Sequence, residues 1–334
     1  MKLESDYMGM RLRNPLVASA SPLSYTLDGV RRLADAGVGA IVLFSYSRRS
    51  CASRPRVTRA WSTAPRRALQ RRLTTPQRAY EDAGPRRYLS LLERAAGAVD
   101  VPVIASLNGV TPDGWTDYAR AMQESGAAAI ELNIYYLPGD PQIAGRDVEQ
   151  RHLDVLARVK QAVTVPVAVK LSPYFSSAGE VAARLDEAGA DALVLFNRFL
   201  QPDIDVERLA LSPAVALSRA ADGRLPRTWI ALLRGRVRAA LAASGGVESP
   251  DDVAKHLLAG ADVVMTTSAL LRHGPEHATA LLDGLTAWMT RKGFRALDDL
   301  RGKLALPADH DEAARERASY VDMLRAADRG SGPW

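Results

Sequence analysis

Apolar residues along this chain come in short runs of five or six, and after most of them they recur every three or four positions. Runs that are apolar on both faces predict buried strands, and the spaced stretches predict amphipathic helices. Eight strands are predicted: Leu16–Ala20, Ala40–Phe44, Val103–Leu107, Ala128–Asn133, Val167–Leu171, Ala192–Phe196, Ala239–Ser244 and Asp262–Thr267. Helices are predicted over Leu27–Ala36, Thr116–Ser125, Val148–Val163, Ala178–Ala188, Pro250–Ala259 and Pro275–Arg291. Four helices run into the same phrase before the next strand: Ala36-Gly37-Val38, Ser125-Gly126-Ala127, Ala188-Gly189-Ala190 and Ala259-Gly260-Ala261. A glycine just past a helix takes the left-handed conformation cheaply and turns the chain into the strand.

Eight such units in series predict an α/β fold, the closed TIM (β/α)8 barrel. An open doubly wound sheet is the competing architecture. The strand count and the lack of an early G-x-G-x-x-G fingerprint disfavour it. Residues 1–13 are expected to form an N-terminal hairpin under the barrel, and residues 45–84 a long Arg-rich insertion after the second strand. One barrel domain over 1–304 is expected, followed by a C-terminal helical extension and tail over 305–334, with a helix near Asp311–Ala327.

Of the 334 residues, 47% are apolar and 25% charged, enough apolar surface to exclude disorder as the dominant state. Cys51 is the only cysteine, so disulfide scaffolds and thiolate metal clusters are excluded. No apolar run approaches the length of a membrane span, and the N-terminus lacks a signal-peptide core, so the cytoplasm is the expected location. Net charge is +6, but twelve arginines against Glu81 and Asp82 between Arg48 and Tyr88 make that segment +10 and leave the remainder at −4. An acidic remainder argues against nucleic acid as a partner. The basic segment reads either as a lid meeting an anionic ligand or as a solvated excursion.

In a barrel the site lies where the strands end. Only six of the 44 basic residues are lysines, and Lys170 ends an apolar strand, where an ammonium needs an anion or a polar partner. Snorkelling to solvent is the plainer alternative. Asn133 and Asn197 end two further strands and together suit a flat heterocycle; Asn108 is either a fourth member or a simple Asn-Gly turn. Ser244-Gly245-Gly246-Val247 and Thr266-Thr267-Ser268 follow the seventh and eighth strands, where barrels commonly build a phosphate site. The five histidines show no ligand spacing, and no metal site is expected.

These segments resemble the dihydroorotate dehydrogenase family, in particular its class 1 branch and the dihydroorotate dehydrogenase-like proteins beside it. The resemblance rests on Arg13-Asn14-Pro15-Leu16-Val17-Ala18-Ser19-Ala20-Ser21, Ile130-Glu131-Leu132-Asn133, and Val169-Lys170-Leu171-Ser172-Pro173-Tyr174-Phe175. It continues through Ser244-Gly245-Gly246-Val247, Ser268-Ala269-Leu270 and His273-Gly274-Pro275. It implies FMN as cofactor, two-electron redox of a small, anionic C–C or dihydro substrate, and a homodimer. Asn133, Lys170 and Asn197 would hold the ring and ribityl chain, with Ser19, Ala20 and Ser21 beneath. Gly245, Gly246, Thr267 and Ser268 would hold the phosphate.

The departures fall on the substrate side. The family loop Asn-x-Ser-Cys-Pro-Asn, which supplies a cysteine as base, here reads Asn133-Ile134-Tyr135-Tyr136-Leu137-Pro138 and is two residues shorter. Tyr136 takes the cysteine position and, with Lys170, is an expected catalytic residue; the alternatives are Tyr135 as proton donor, or both tyrosines only stacking over the flavin or filling the shortened loop. The family lysine after the second strand is Phe44, and the orotate-binding asparagines have no match. Dihydroorotate turnover is therefore expected to be weak or absent. Two other classes stay open at this point: a flavin-free phosphate-binding barrel using Lys170 as a Schiff-base nucleophile, and a non-catalytic binding or regulatory subunit.

Overall fold

The computed structural model describes residues 1–47, 84–108, 115–136, 138–198, 203–212, 216–307 and Arg325. Cys51 and most of the Arg-rich insertion lie outside the described residues, as does the Asp311–Ala327 helix apart from Arg325.

The chain opens with the expected hairpin, β1 (Ser5–Tyr7) against β2 (Met10–Leu12). There follow β3 (Leu16–Ala18), β4 (Ala40–Val42), the two-residue β5 (Tyr46–Ser47), β6 (Val103–Asn108), β7 (Ala129–Asn133), β8 (Val167–Leu171) and β9 (Ala192–Leu195). After an antiparallel excursion, β10 (Asp203–Asp205) with β11 (Ala210–Ser212), the sheet resumes in β12 (Ala240–Ser244) and β13 (Val263–Thr266). Strands β3, β4, β6, β7, β8, β9, β12 and β13 are all parallel, and the β13–β3, β3–β4 and β4–β6 pairings close them into an eight-stranded barrel. The TIM barrel is the observed architecture.

Each predicted strand coincides with one barrel strand, and four of the eight observed strands end earlier than predicted. Ser19, Ala20, Phe44 and Phe196 leave the ladder there and become the rim. Gly37, Gly126, Gly189 and Gly260 all sit at positive φ between +88° and +118°, as the helix-end phrase requires.

The helices differ more. The Val148–Val163 prediction is observed as Gly145–Ala162, and Pro275–Arg291 as His277–Lys292, preceded by a separate turn of helix Ser268–His273. Helices Gly84–Ala96 and Arg224–Leu233 and the β10–β11 hairpin had no counterpart in the sequence reading. Their apolar stripes are broken by arginines and Pro226, which tertiary packing overrides.

Period-two alternation divides the barrel core. Ala129, Ala168, Val42 and Val17 face the interior with Tyr7, Met8 and Leu12, which rise from the hairpin and plug the bottom. Ile130, Leu132, Val169 and Leu171 face the surrounding helices. With the N-terminal end sealed by buried side chains, each stabilising by roughly 1.5–3 kcal/mol, access is left to the C-terminal end.

Candidate functional site

A cavity of about 610 Å³ opens at that end, walled by the strand ends of β3, β8, β9, β12 and β13. Alternation that turns Ala168 inward does the same for Lys170, and the β7–β8 register sets Asn133 opposite it. Lys170 is 6% exposed and lines the cavity. Its Nζ donates to Ser19 Oγ at 3.3 Å and lies 3.5 Å from Glu131 Oε1. The Glu131 contact is close enough for an ion pair but poorly aligned for a hydrogen bond; neither carboxylate oxygen has a hydrogen-bond partner among the described residues. The snorkelling alternative is thereby discarded: the ammonium turns into the barrel mouth.

Asn197 Nδ2 donates to Asn133 Oδ1 at 2.6 Å, and Asn133 Nδ2 donates to Ser45 Oγ at 3.2 Å. Ser45 Oγ stands 2.7 Å from Ser106 Oγ, so four polar groups from four strand ends form one chain across the rim. This fixes both amide orientations and leaves their remaining polar atoms for a ligand. Ser45 and Ser106 escaped the sequence reading; a serine immediately beyond a strand was the available signal for Ser45.

At the opposite wall, Gly245 (φ +103°) borders the cavity, and a Cβ there would meet nothing within 4 Å. Gly246 (φ +68°) does not line the cavity; it packs on the Gly223 backbone behind the loop. Thr267 Oγ1 donates to the Ser19 carbonyl at 3.2 Å, which ties the eighth strand end to the first. Ser268 Oγ accepts the Ser218 N–H at 3.0 Å, and Arg272 donates to the Ser218 carbonyl at 2.7 Å while pairing with Glu248. Ser218 is thus tied to helix Ser268–His273, whose Arg272 in turn holds Glu248 just beyond the glycine loop, a feature with no signal in the sequence. Arg198 and Asp222 pair at 2.8 Å on the cavity wall.

The other predicted positions lie around this centre. Ser19 and Ala20 line the cavity. Ser21 is turned into a local cap, its Oγ accepting the Leu23 N–H at 3.3 Å. Asn108 ends β6 beside Ser47 and is not part of the wall. Tyr135 lines the cavity; Tyr136 does not, its ring lying 4.1 Å from the Arg151 guanidinium. Phe44 stands edge-on to Tyr25 at 4.6 Å and to Tyr88 at 5.1 Å, so an aromatic cluster fills the position of the family lysine. Burial raises the Tyr88 pKa, and its hydroxyl accepts the Ser106 N–H at 3.0 Å, keeping this wall uncharged.

His256 lies buried behind the glycine loop. Burial, and then the nearby Arg227 guanidinium, press its pKa down to about 3 against the opposing pull of the Gly245 backbone, so the ring is neutral. Among the described residues no group of three or more metal-ligating side chains gathers, and no helix is long and apolar enough to cross a membrane.

The family model of dihydroorotate dehydrogenase matches residues 2–289. The dihydroorotate dehydrogenase B (NAD(+)) catalytic subunit of Methanothermobacter thermautotrophicus is 29% identical over 307 residues, covering 90% of this chain and 97% of that protein. A putative dihydroorotate dehydrogenase A (fumarate) of Aeropyrum pernix is 31% identical over 229 residues, 66% of this chain and 72% of that protein. The B-type catalytic subunit of Halalkalibacterium halodurans is 31% identical over 210 residues, 61% and 68% of the two chains.

Proposed function

This chain belongs to the dihydroorotate dehydrogenase family, oxidoreductases acting on CH–CH groups, and from that premise we propose that it binds FMN at the barrel mouth. Its substrate is a small anionic compound with a C–C bond to be oxidised or reduced. The observation that carries the reading is the buried ammonium of Lys170, held against Ser19 at the rim of a large cavity. The open space in front of Gly245 and the pre-oriented amides of Asn133 and Asn197 suit the same group.

When bound, FMN supplies a two-electron acceptor whose ring gains negative charge on reduction. Lys170 offers that charge a cation that needs no reorganisation. Asn133 and Asn197 orient the ring, and Ser19 and Ala20 supply the floor; Asn108, off the cavity wall, and Ser21, engaged as a local cap, take no direct part. Gly245, Gly246, Thr267 and Ser268 take the phosphate, with Gly246 acting through the loop it shapes. The proton falls to the tyrosine pair: Tyr135 faces the cavity, and Tyr136 stands at the family cysteine position. Tyr135→Phe and Tyr136→Phe separate the two by which one lowers turnover.

Dihydroorotate is a poor substrate in this reading, because the cysteine is missing and Phe44 replaces the lysine in an uncharged wall. A homodimer follows from the family resemblance. The relatives' names carry two electron acceptors, NAD(+) and fumarate.

The test is spectral. Purified protein, or apoprotein titrated with FMN, should show a bound-flavin spectrum, and Lys170→Met should weaken binding by about tenfold or more, the loss of one charge-assisted hydrogen bond. A colourless protein that leaves FMN fluorescence unchanged would refute the proposal. Photoreduced protein is then reoxidised with candidate substrates, NAD(+) and fumarate.

A further inference from the structure

Glu131 is 1% exposed, in the middle of β7, turned inward by the same alternation as Asn133 and Lys170. Other deeply buried carboxylates of the described residues are well supplied with donors. Asp252 accepts from Ser249 N–H and Oγ, and Asp262 from Arg234 and the Leu241 N–H. Glu131 has none among the described residues; its compensation is the Lys170 ammonium at 3.5 Å. Tyr7, below it, does not supply the missing charge. Its buried hydroxyl is pushed well above its ordinary pKa, by burial first and by Glu131 and Asp262 next. Tyr88, also within its field, is likewise held neutral, chiefly by burial. A carboxylate left without donors in a barrel core acts on its surroundings as a bare charge, and the group it acts on most strongly is the lysine at the site.

We propose that Glu131 is a positioning residue that sets how much positive charge Lys170 presents to the flavin. Ser19 holds the ammonium from the rim and Glu131 from below, so Nζ is fixed in place and partly neutralised before any ligand arrives. The consequence is a lowered reduction potential, because the carboxylate opposes the negative charge that the ring gains. The inference rests on the FMN reading for its functional meaning, whereas the Glu131–Lys170 coupling stands without it.

The experiment uses the full chain and the variant Glu131→Gln, which removes the charge at constant shape. With FMN bound, the potential is measured by equilibration with a reference dye. The variant should favour the reduced form at least tenfold over the wild type, an upward shift of about 30 mV for a two-electron couple. An unchanged or lowered potential overturns the proposal. A flavin-free arm compares thermal melts of Glu131→Gln, Lys170→Met and the double variant. The double variant should recover most of the loss that Lys170→Met causes, and additive losses overturn the coupling. If the wild type binds no FMN, the redox reading fails and the melting arm alone decides. Should Glu131→Gln fail to fold, Glu131→Asp, which draws the carboxylate back, should move both readouts the same way by less; no movement refutes.

Discussion

Replacing either glycine of the loop after β12 with alanine separates two physical effects that the sequence pair Gly245-Gly246 does not distinguish. Both residues are in the positive-φ region, at +103° and +68°, so either alanine carries backbone strain of about 1–3 kcal/mol. At Gly245 a Cβ would meet nothing within 4 Å. At Gly246 it would stand 2.1 Å from Gly223 N, 2.4 Å from Gly223 Cα and 2.9 Å from Asp222 C, all backbone atoms that cannot swing aside. Overpacking of that kind adds about 1–3 kcal/mol. Gly246→Ala should therefore melt below Gly245→Ala by roughly 2–6 °C, at about 2 °C per kcal/mol for a chain of this size. Flavin affinity should rank differently. Gly245→Ala projects a methyl into the cavity and weakens FMN binding out of proportion to its stability loss, whereas Gly246→Ala loses both together. Thermal melts of the apoprotein, with FMN titrations of each variant, give the comparison. Equal melting temperatures, or Gly245→Ala melting lower, would refute the reading of this loop.

Acid sensitivity should trace in part to His256. Its folded pKa near 3 lies below the unfolded value of about 6.5, so the unfolded chain binds the extra proton between them and stability falls as pH drops through that window. From pH 6.5 to pH 5 the loss is about 2 kcal/mol, and His256→Gln should flatten that slope in urea titrations; an unaltered slope would place the acid sensitivity elsewhere. Ser45→Ala removes the acceptor that orients Asn133 and should weaken FMN binding about fivefold, checked by fluorescence quenching. Lys170→Met leaves Glu131 uncompensated and should destabilise the fold by about 3–5 kcal/mol, whereas combining it with Glu131→Gln should recover most of that loss. Additive melting temperatures in that cycle would show the two residues to be uncoupled.

What the chain states by itself is what local physics encodes. Strands apolar on both faces, helices ending in Ala-Gly, and eight units in series specify the barrel without any knowledge of a partner strand. Because the strand ends can be read from the pattern, the placement of Lys170, Asn133, Asn197 and the two glycine-rich and hydroxyl-rich loops at that end of the barrel was also legible. The rest was decided by register and by loops crossing the rim. The ion pair of Glu131 with Lys170 exists because the β7–β8 register sets Glu131 opposite Ala168, diagonal to a lysine 39 residues on in sequence and on the same inward face. Ser45, Ser106, Asn133 and Asn197 join because barrel closure gathers four strand ends. Tyr135 rather than Tyr136 faces the cavity because the shortened loop leaves the ladder after Asn133, where the alternation no longer dictates direction. Gly246 needs its hydrogen for Gly223, 23 residues earlier. A period of two or of 3.6 residues says which way a side chain points within its own element. Which group it then meets depends on the stagger between strands, and that is a property of the closed sheet.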